Sequence, residues 1–250
     1  MLHRFWILLL PVMGILSCTA SKKIALTKEA TISISSLKFL DEYVIPHNFS
    51  YGNTIVGGLS GIDYDAKKDR YFIISDERSF TTPARFYTAN ISINGTRIDS
   101  VIFTSVNTLK QPGGDVFPSF KQYAQRTPDP ESIRYNPIKN NLTWTSEGDR
   151  EVRVGKMIYQ NPYVYEMDLQ GNFQDSFFVP QNLHMNALEK GPRENGVFEG
   201  STFADNYKTY YVSMESPIYE DGPAASFNYP GAPVRITKFD TKTRKPLAQY

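Results

Sequence analysis

The chain has almost no cysteine and little histidine: Cys18 is the single cysteine, and His3, His47 and His184 are the three histidines. One cysteine cannot close a disulfide within the chain. Once the N-terminal segment described below is removed, only His47 and His184 are left and no free thiol remains. That takes away cysteine nucleophiles, and it leaves little material for histidine-based triads or zinc sites with several His ligands. Surplus charge is missing too. Lys and Arg total 27 against 26 Asp and Glu, a net charge of +1 with the basic residues dispersed. No basic stripe exists for a nucleic acid to follow, and nothing points to a protein partner. Walker loops and dinucleotide fingerprints are absent. The run Gly58-Leu59-Ser60-Gly61 falls one position short of a nucleophile elbow.

The sequence also lacks an apolar run of the roughly 20 residues that cross a bilayer. The nearest candidate, Phe5 to Leu16, follows His3 and Arg4 and ends in Ile15-Leu16-Ser17-Cys18. This resembles a bacterial lipoprotein signal with its lipobox, although Ile15 stands where Leu is usual. Residues 1–18 are therefore expected to be a signal peptide ending at Cys18, the lipidation site, and 19–33 a tether. The expected location is the bacterial envelope, with the exported protein anchored to the membrane through the N-terminal lipid.

What the chain does have is carboxylates, arginines and aromatics in a repeat. Three segments begin at 60, 131 and 199: SGIDYDAKKDRYFIISD, ESIRYNPIKNNLTWTSE and EGSTFADNYKTYYVSME. In two of them acids stand sixteen positions apart, Glu131 with Glu147 and Glu199 with Glu215. The first has Ser60 and Asp76 in those slots. Each segment is an apolar run, a polar turn and a second run rich in Tyr, Phe, Trp, Ile and Val, the pattern of a hairpin. In a hairpin of even register Glu131 would face Glu147 and Glu199 would face Glu215, with Cβ atoms roughly 5 Å apart. Two carboxylates that close need a cation.

Two further strands follow each hairpin, with turns at Asn94-Gly95, at Gly171-Asn172 and over Thr241 to Lys245. Each repeat is thus four antiparallel strands, the blade of a β-propeller. The expected fold is all-β, a partial propeller with about three blades over residues 34–250. Because three blades do not close a ring, the chain reads as a fragment, and Ile34 to Pro46 is expected to be an outer strand of a further blade. Between the second acid and the Pro before the third strand the spacing is 7, 15 and 18 residues. Variable loops are therefore expected at the same rim as the acids.

Clustered carboxylates without His or Cys suit a hard cation such as calcium, which takes six to eight oxygen ligands. Asp76, Glu131, Glu147, Glu199 and Glu215 are the principal candidate ligands, with Asp63 and Glu77 nearby in sequence. Solvated strand ends, or amide hydrogen bonds between blades, are the plainer alternative for any single acid. Arg85 and Arg235 hold equivalent places after a Pro, and Arg193 precedes Glu199; these three are the candidate anion-binding residues. Salt bridges between blades would explain each of them equally well.

In order along the chain, Gly58-Leu59-Ser60-Gly61 with Ser75-Asp76-Glu77, Asp129-Pro130-Glu131-Ser132, Ser146-Glu147-Gly148, Gly191-Pro192-Arg193 with Phe198-Glu199-Gly200, and Met214-Glu215 resemble the phytase-like domain family. Its members are described as having esterase-like activity of phytase. The resemblance covers roughly residues 36 to 250. In the more distant alkaline phytases calcium ions line the propeller channel, hold phosphate and activate water. The resemblance implies calcium-assisted phosphate chemistry. Taken with the residues above, the expected reaction is hydrolysis of a small anionic phosphate ester, with Glu147 and Glu199 at the chemistry and Arg85, Arg193 and Arg235 steadying the anion. A calcium-dependent propeller lactonase or carboxyl esterase, or a non-catalytic calcium-stabilised binding propeller, are the alternatives.

Overall fold

A computed structural model describes residues 33–250. The signal segment, Cys18 and the tether up to residue 32 lie outside the described residues. Residues 33–39, which form neither strand nor helix, belong to a separate N-terminal unit, and Leu40–Tyr250 forms the folded unit. No helix among the described residues is long and apolar enough to cross a membrane.

The folded unit opens with a small ladder of β1 (Ser50–Tyr51) and β2 (Thr54–Ile55). Three four-stranded antiparallel sheets follow. The first runs through β3 (Leu59–Asp65), β4 (Arg70–Ser75), β5 (Arg85–Asn94) and β6 (Arg97–Thr108) in that order. The second contains β7 (Pro130–Asn136), β8 (Asn141–Ser146), β11 (Tyr163–Met167) and β12 (Phe173–Ser176). The third is β13 (Phe198–Ala204), β14 (Thr209–Met214), β15 (Ile236–Asp240) and β16 (Pro246–Gln249). These are the expected blades, mostly β and propeller-like.

The turns form for the reasons the sequence suggests. Asp65 accepts from the Lys67 N–H, and Asn136 accepts from Ile138 and Lys139. Short polar side chains thus close these two hairpins on their own backbone.

Blades pack face to face on aromatic and branched side chains. One core joins Phe72, Ile74 and Phe86 of the first blade to Ile133, Leu142 and Trp144 of the second. Another joins Val164 and Phe177 to Phe198, Tyr210, Val212 and Phe239. Each fully buried large side chain contributes roughly 1.5–3 kcal/mol. The inner strands β3, β7 and β13 adjoin and are tied by polar contacts. Tyr135 N–H donates to Asp63 at 2.6 Å, and Arg134 donates to the carbonyls of Ser201 and Ile62, each at 2.6 Å. Asp63 is therefore an inter-strand acceptor.

Two expectations need correction. Ile34 to Pro46 is in no ladder and forms no strand; a strand exists only where a neighbour supplies its hydrogen bonds. The fifteen-residue spacing after Glu147 is not a loop but a second hairpin, β9 (Asp149–Arg153) with β10 (Lys156–Gln160).

Candidate metal centre

In each blade the first hairpin carries a bulge at the same place. Ladder register shifts between Leu59 and Gly61, between Pro130 and Ile133, and between Phe198 and Ser201. The extra residues include Ser60, Glu131 and Glu199, the first slots of the repeat. Beyond the bulge the second slots are held by backbone bonds: Asp76 N–H to Gly58 O at 2.7 Å, Glu147 N–H to Asp129 O at 3.0 Å, and Glu215 N–H to Val197 O at 2.8 Å. The sixteen-residue partners are therefore not directly opposed, as even register would have it. Glu147 lies across from Asp129, and Glu215 across from Val197. A bulge re-aims the side chain it displaces, and the re-aimed Glu131 and Glu199 still reach their partners.

The result is two overlapping carboxylate groups. Ligand-capable oxygens of Asp129, Glu131 and Glu147 all lie within 4.8 Å of one another, as do those of Glu147, Glu199 and Glu215. Glu147 belongs to both. It is 1% exposed, and the Val197 N–H of the next blade donates to its Oε1 at 2.8 Å. Burial deepens from the exposed rim acids Asp76 and Glu215, through half-buried Glu131 and Glu199, to a floor of Asp129 and Glu147.

Crowded, desolvated carboxylates resist ionisation. Burial, reinforced by Glu199, Asp129, Glu147 and Asp76, pushes Glu131 up to about 9. Burial and the neighbouring acids push Glu147 up to about 7 against the opposing Val197 N–H. Asp129 is raised to about 6, by burial first and by Asp76, Asp149 and Glu199, although Arg78 pulls the other way. Glu199 is raised by burial, Glu215 and Asp76, and Asp76 by burial and Glu77.

One guanidinium reaches this group. Arg78 lies 3.4 Å from Asp129 and 2.8 Å from Asp149, with its face on the Phe120 ring at 4.5 Å. Among the described residues no Lys or Arg pairs with Glu131, Glu147, Glu199 or Glu215, so most of the negative charge is uncompensated. The donors are all hard oxygens, and the set fits a hard divalent cation.

The candidate anion-binding arginines sit elsewhere. Arg85 is 3% exposed and donates to Glu77, Tyr87, Thr82 and the Ile55 carbonyl. Arg235 makes a two-pronged pair with Asp221 at 2.5 and 2.7 Å. Arg193 donates to the carbonyls of Pro217 and Gly222 and covers the Tyr219 ring. None of the three is within ion-pair distance of the clustered acids. Glu77 also stands apart. Burial opposes its ionisation, but the N–H groups of Phe80, Thr81 and Thr82 prevail and hold it below the usual carboxylate range.

Asp129, Asp149 and Arg78 did not emerge from the repeat. The slot of Asp129 is Gly58 in the first blade and Val197 in the third, so the acid has no counterpart to reveal it. The Asp129-Pro130-Glu131 run was its one signal, an acid two residues before the repeated one.

Gly58 has its own reason. Its φ is +57°, and a Cβ there would lie 1.8 Å from Asp76 Oδ1. Gly58→Ala should therefore cost roughly 1–3 kcal/mol through strain and displacement of Asp76. A chemical denaturation curve would show it, and an unchanged midpoint would mean that Asp76 swings aside freely.

A family model described as phytase-like, esterase-like activity of phytase, matches residues 54–250. No curated protein matches the chain. Among solved structures, one from a structural and mechanistic study of two prolyl endopeptidases is similar at 14% identity. It aligns over 76% of this chain and 26% of its own, with a TM-score of 0.30. The chain spans about a quarter of that protein's length, and a likeness this loose carries no argument.

Proposed function

Because the chain belongs to the phytase-like family over residues 54–250, we propose that the acid cluster is a calcium site at which a phosphate ester is hydrolysed. The observation that carries this reading is Glu147, a nearly fully buried carboxylate shared by two acid groups and itself paired with no cationic side chain among the described residues. Charge in that position costs several kcal/mol unless a cation offsets it. Asp129, Glu131 and Glu147 would hold one ion, and Glu147, Glu199 and Glu215 a second. A bound cation would offset charge on the phosphoryl oxygens and make water more acidic.

The remaining work falls to the chain. Val197 N–H fixes the orientation of Glu147, so its oxygens are set before substrate arrives. Glu199, half-buried, would accept a proton from the attacking water. Arg78 holds Asp129 and Asp149 in place on the floor. Arg85, Arg193 and Arg235 shape the loops around the cluster. Cys18 would tether the protein to the envelope, a reading that rests on sequence.

The engagement of those three arginines favours a second reading, hydrolysis of a lactone or carboxyl ester, for which no anion clamp is needed. One experiment separates the two. Chelation should lower phosphate release from phytate, glycerol phosphate or phenyl phosphate by about 100-fold or more, and added calcium should restore it. Lactone turnover without phosphate release would favour the second reading. Metal-raised melting temperature without any turnover would leave a binding module.

A further inference from the structure

Beside the acid cluster, on the first blade, lies a pocket of about 200 Å³ lined by Ile55, Gly57, Gly58, Asp76, Thr81 and Thr82, with Glu77 and Arg85 in its wall. Its chemistry differs from that of the cluster. The Glu77 carboxylate and the Arg85 guanidinium pair at 3.0 Å. The rest of each group's capacity goes to Phe80, Thr81 and Thr82 N–H, to Tyr87, and to the Ile55 carbonyl. Neither charge is left for a ligand. Apart from Asp76, at the edge shared with the acids, the lining offers Ile, Gly and the two Thr side chains.

An engineered cavity of about 150 Å³ is enough for benzene, so this one accommodates a ring or a short chain. A second phosphate would find no unpaired cationic side chain there and would meet Asp76. We infer that this pocket receives the uncharged organic group of an ester whose anionic end lies at the acids. The substrate class is then a monoester of a compact neutral alcohol or phenol, not a polyphosphorylated ring. The inference rests on the phosphate-ester reading above.

Gly57 gives the test. Its φ is outside the left-handed region, and a Cβ built there meets no heavy atom within 4 Å. Gly57→Leu therefore adds a side chain at the pocket wall without backbone strain and without altering an acid. Binding of phenylphosphonate and of inorganic phosphate would be measured by calorimetry on the calcium-loaded protein and its Gly57→Leu variant, with melting curves to confirm folding.

The parent should bind phenylphosphonate about tenfold tighter than phosphate or more. The variant should lose that preference and keep its phosphate affinity. If phosphate binds and the phenyl group adds nothing, or if the preference survives in the variant, the pocket inference falls and the phosphate-ester reading stands. If neither probe binds, both fall together. Should the Leu variant melt early, Gly57→Ala, with its smaller fill, must show a partial loss of preference for the inference to hold.

Discussion

Glu147→Gln should reduce ester hydrolysis by about 100- to 1,000-fold in kcat/KM, roughly 3 to 4 kcal/mol of transition-state stabilisation, while the domain stays folded. Glu147 is the acid common to both carboxylate groups, so one substitution weakens both proposed ion sites. Glutamine keeps the shape and an oxygen to accept from the Val197 N–H, the one hydrogen bond that fixes the native carboxylate. It removes one buried negative charge from among acids that already repel. Without metal, the variant should therefore melt a few degrees above the parent. With calcium it should gain less than the parent does, because the ion has lost a shared ligand. Glu215→Gln, at the exposed rim and in one group only, should have the smaller effect on both readouts. Retained turnover in Glu147→Gln, or a loss of turnover that tracks unfolding, would overturn the assignment.

Metal-free protein should lose stability as pH rises. The ordinary values are 3.8 for Asp and 4.5 for Glu, and burial and mutual repulsion raise Asp129 to about 6, Glu147 to about 7 and Glu131 to about 9. Across that interval the folded state holds more protons than the unfolded one, so unfolding releases protons and becomes more favourable with increasing pH. Below about pH 4 the acids are protonated in both states and the penalty is absent. It accumulates from there to about pH 9, where ionisation of the cluster is complete.

Screening by solvent at this partly exposed cluster reduces the expected loss to a few kcal/mol, or roughly 10 °C in Tm for a domain of this size. Calcium should flatten the profile. It replaces the protons, and at 100 times its Kd it adds about 2.7 kcal/mol. Melting curves from pH 5 to 9, with chelator and with calcium, measure both effects. A metal-free Tm that rises over this range would mean that the acids are not crowded as the structure has them.

The blades were legible in the sequence because hairpins are local. Asp65 and Asn136 close their turns on their own backbone, and alternation across each strand settles which side chains go inward. The acids at strand ends were legible as well, since Glu131, Glu147, Glu199 and Glu215 recur at one spacing. Their direct opposition was not, because a bulge depends on how the inner strand sits against the neighbouring blades, and no residue type announces it. The arginines were misleading for a related reason. A guanidinium looks the same in sequence whether it faces a ligand or, like Arg85, satisfies Glu77, Tyr87 and a carbonyl inside a loop.

By itself, then, the sequence determined the repeating unit, its four strands and the presence of paired acids, all consequences of periodicity within about seventy residues. The recurrence puts acids at the same end of successive blades; only the tertiary structure decided which of them meet. Asp129, Glu131 and Glu147 come from one blade and Glu199 and Glu215 from the next, and Glu147 joins the two groups across the interface. That juxtaposition depends on the packing of aromatic cores between blades, a contact between residues some fifty positions apart or more, and no local pattern encodes it.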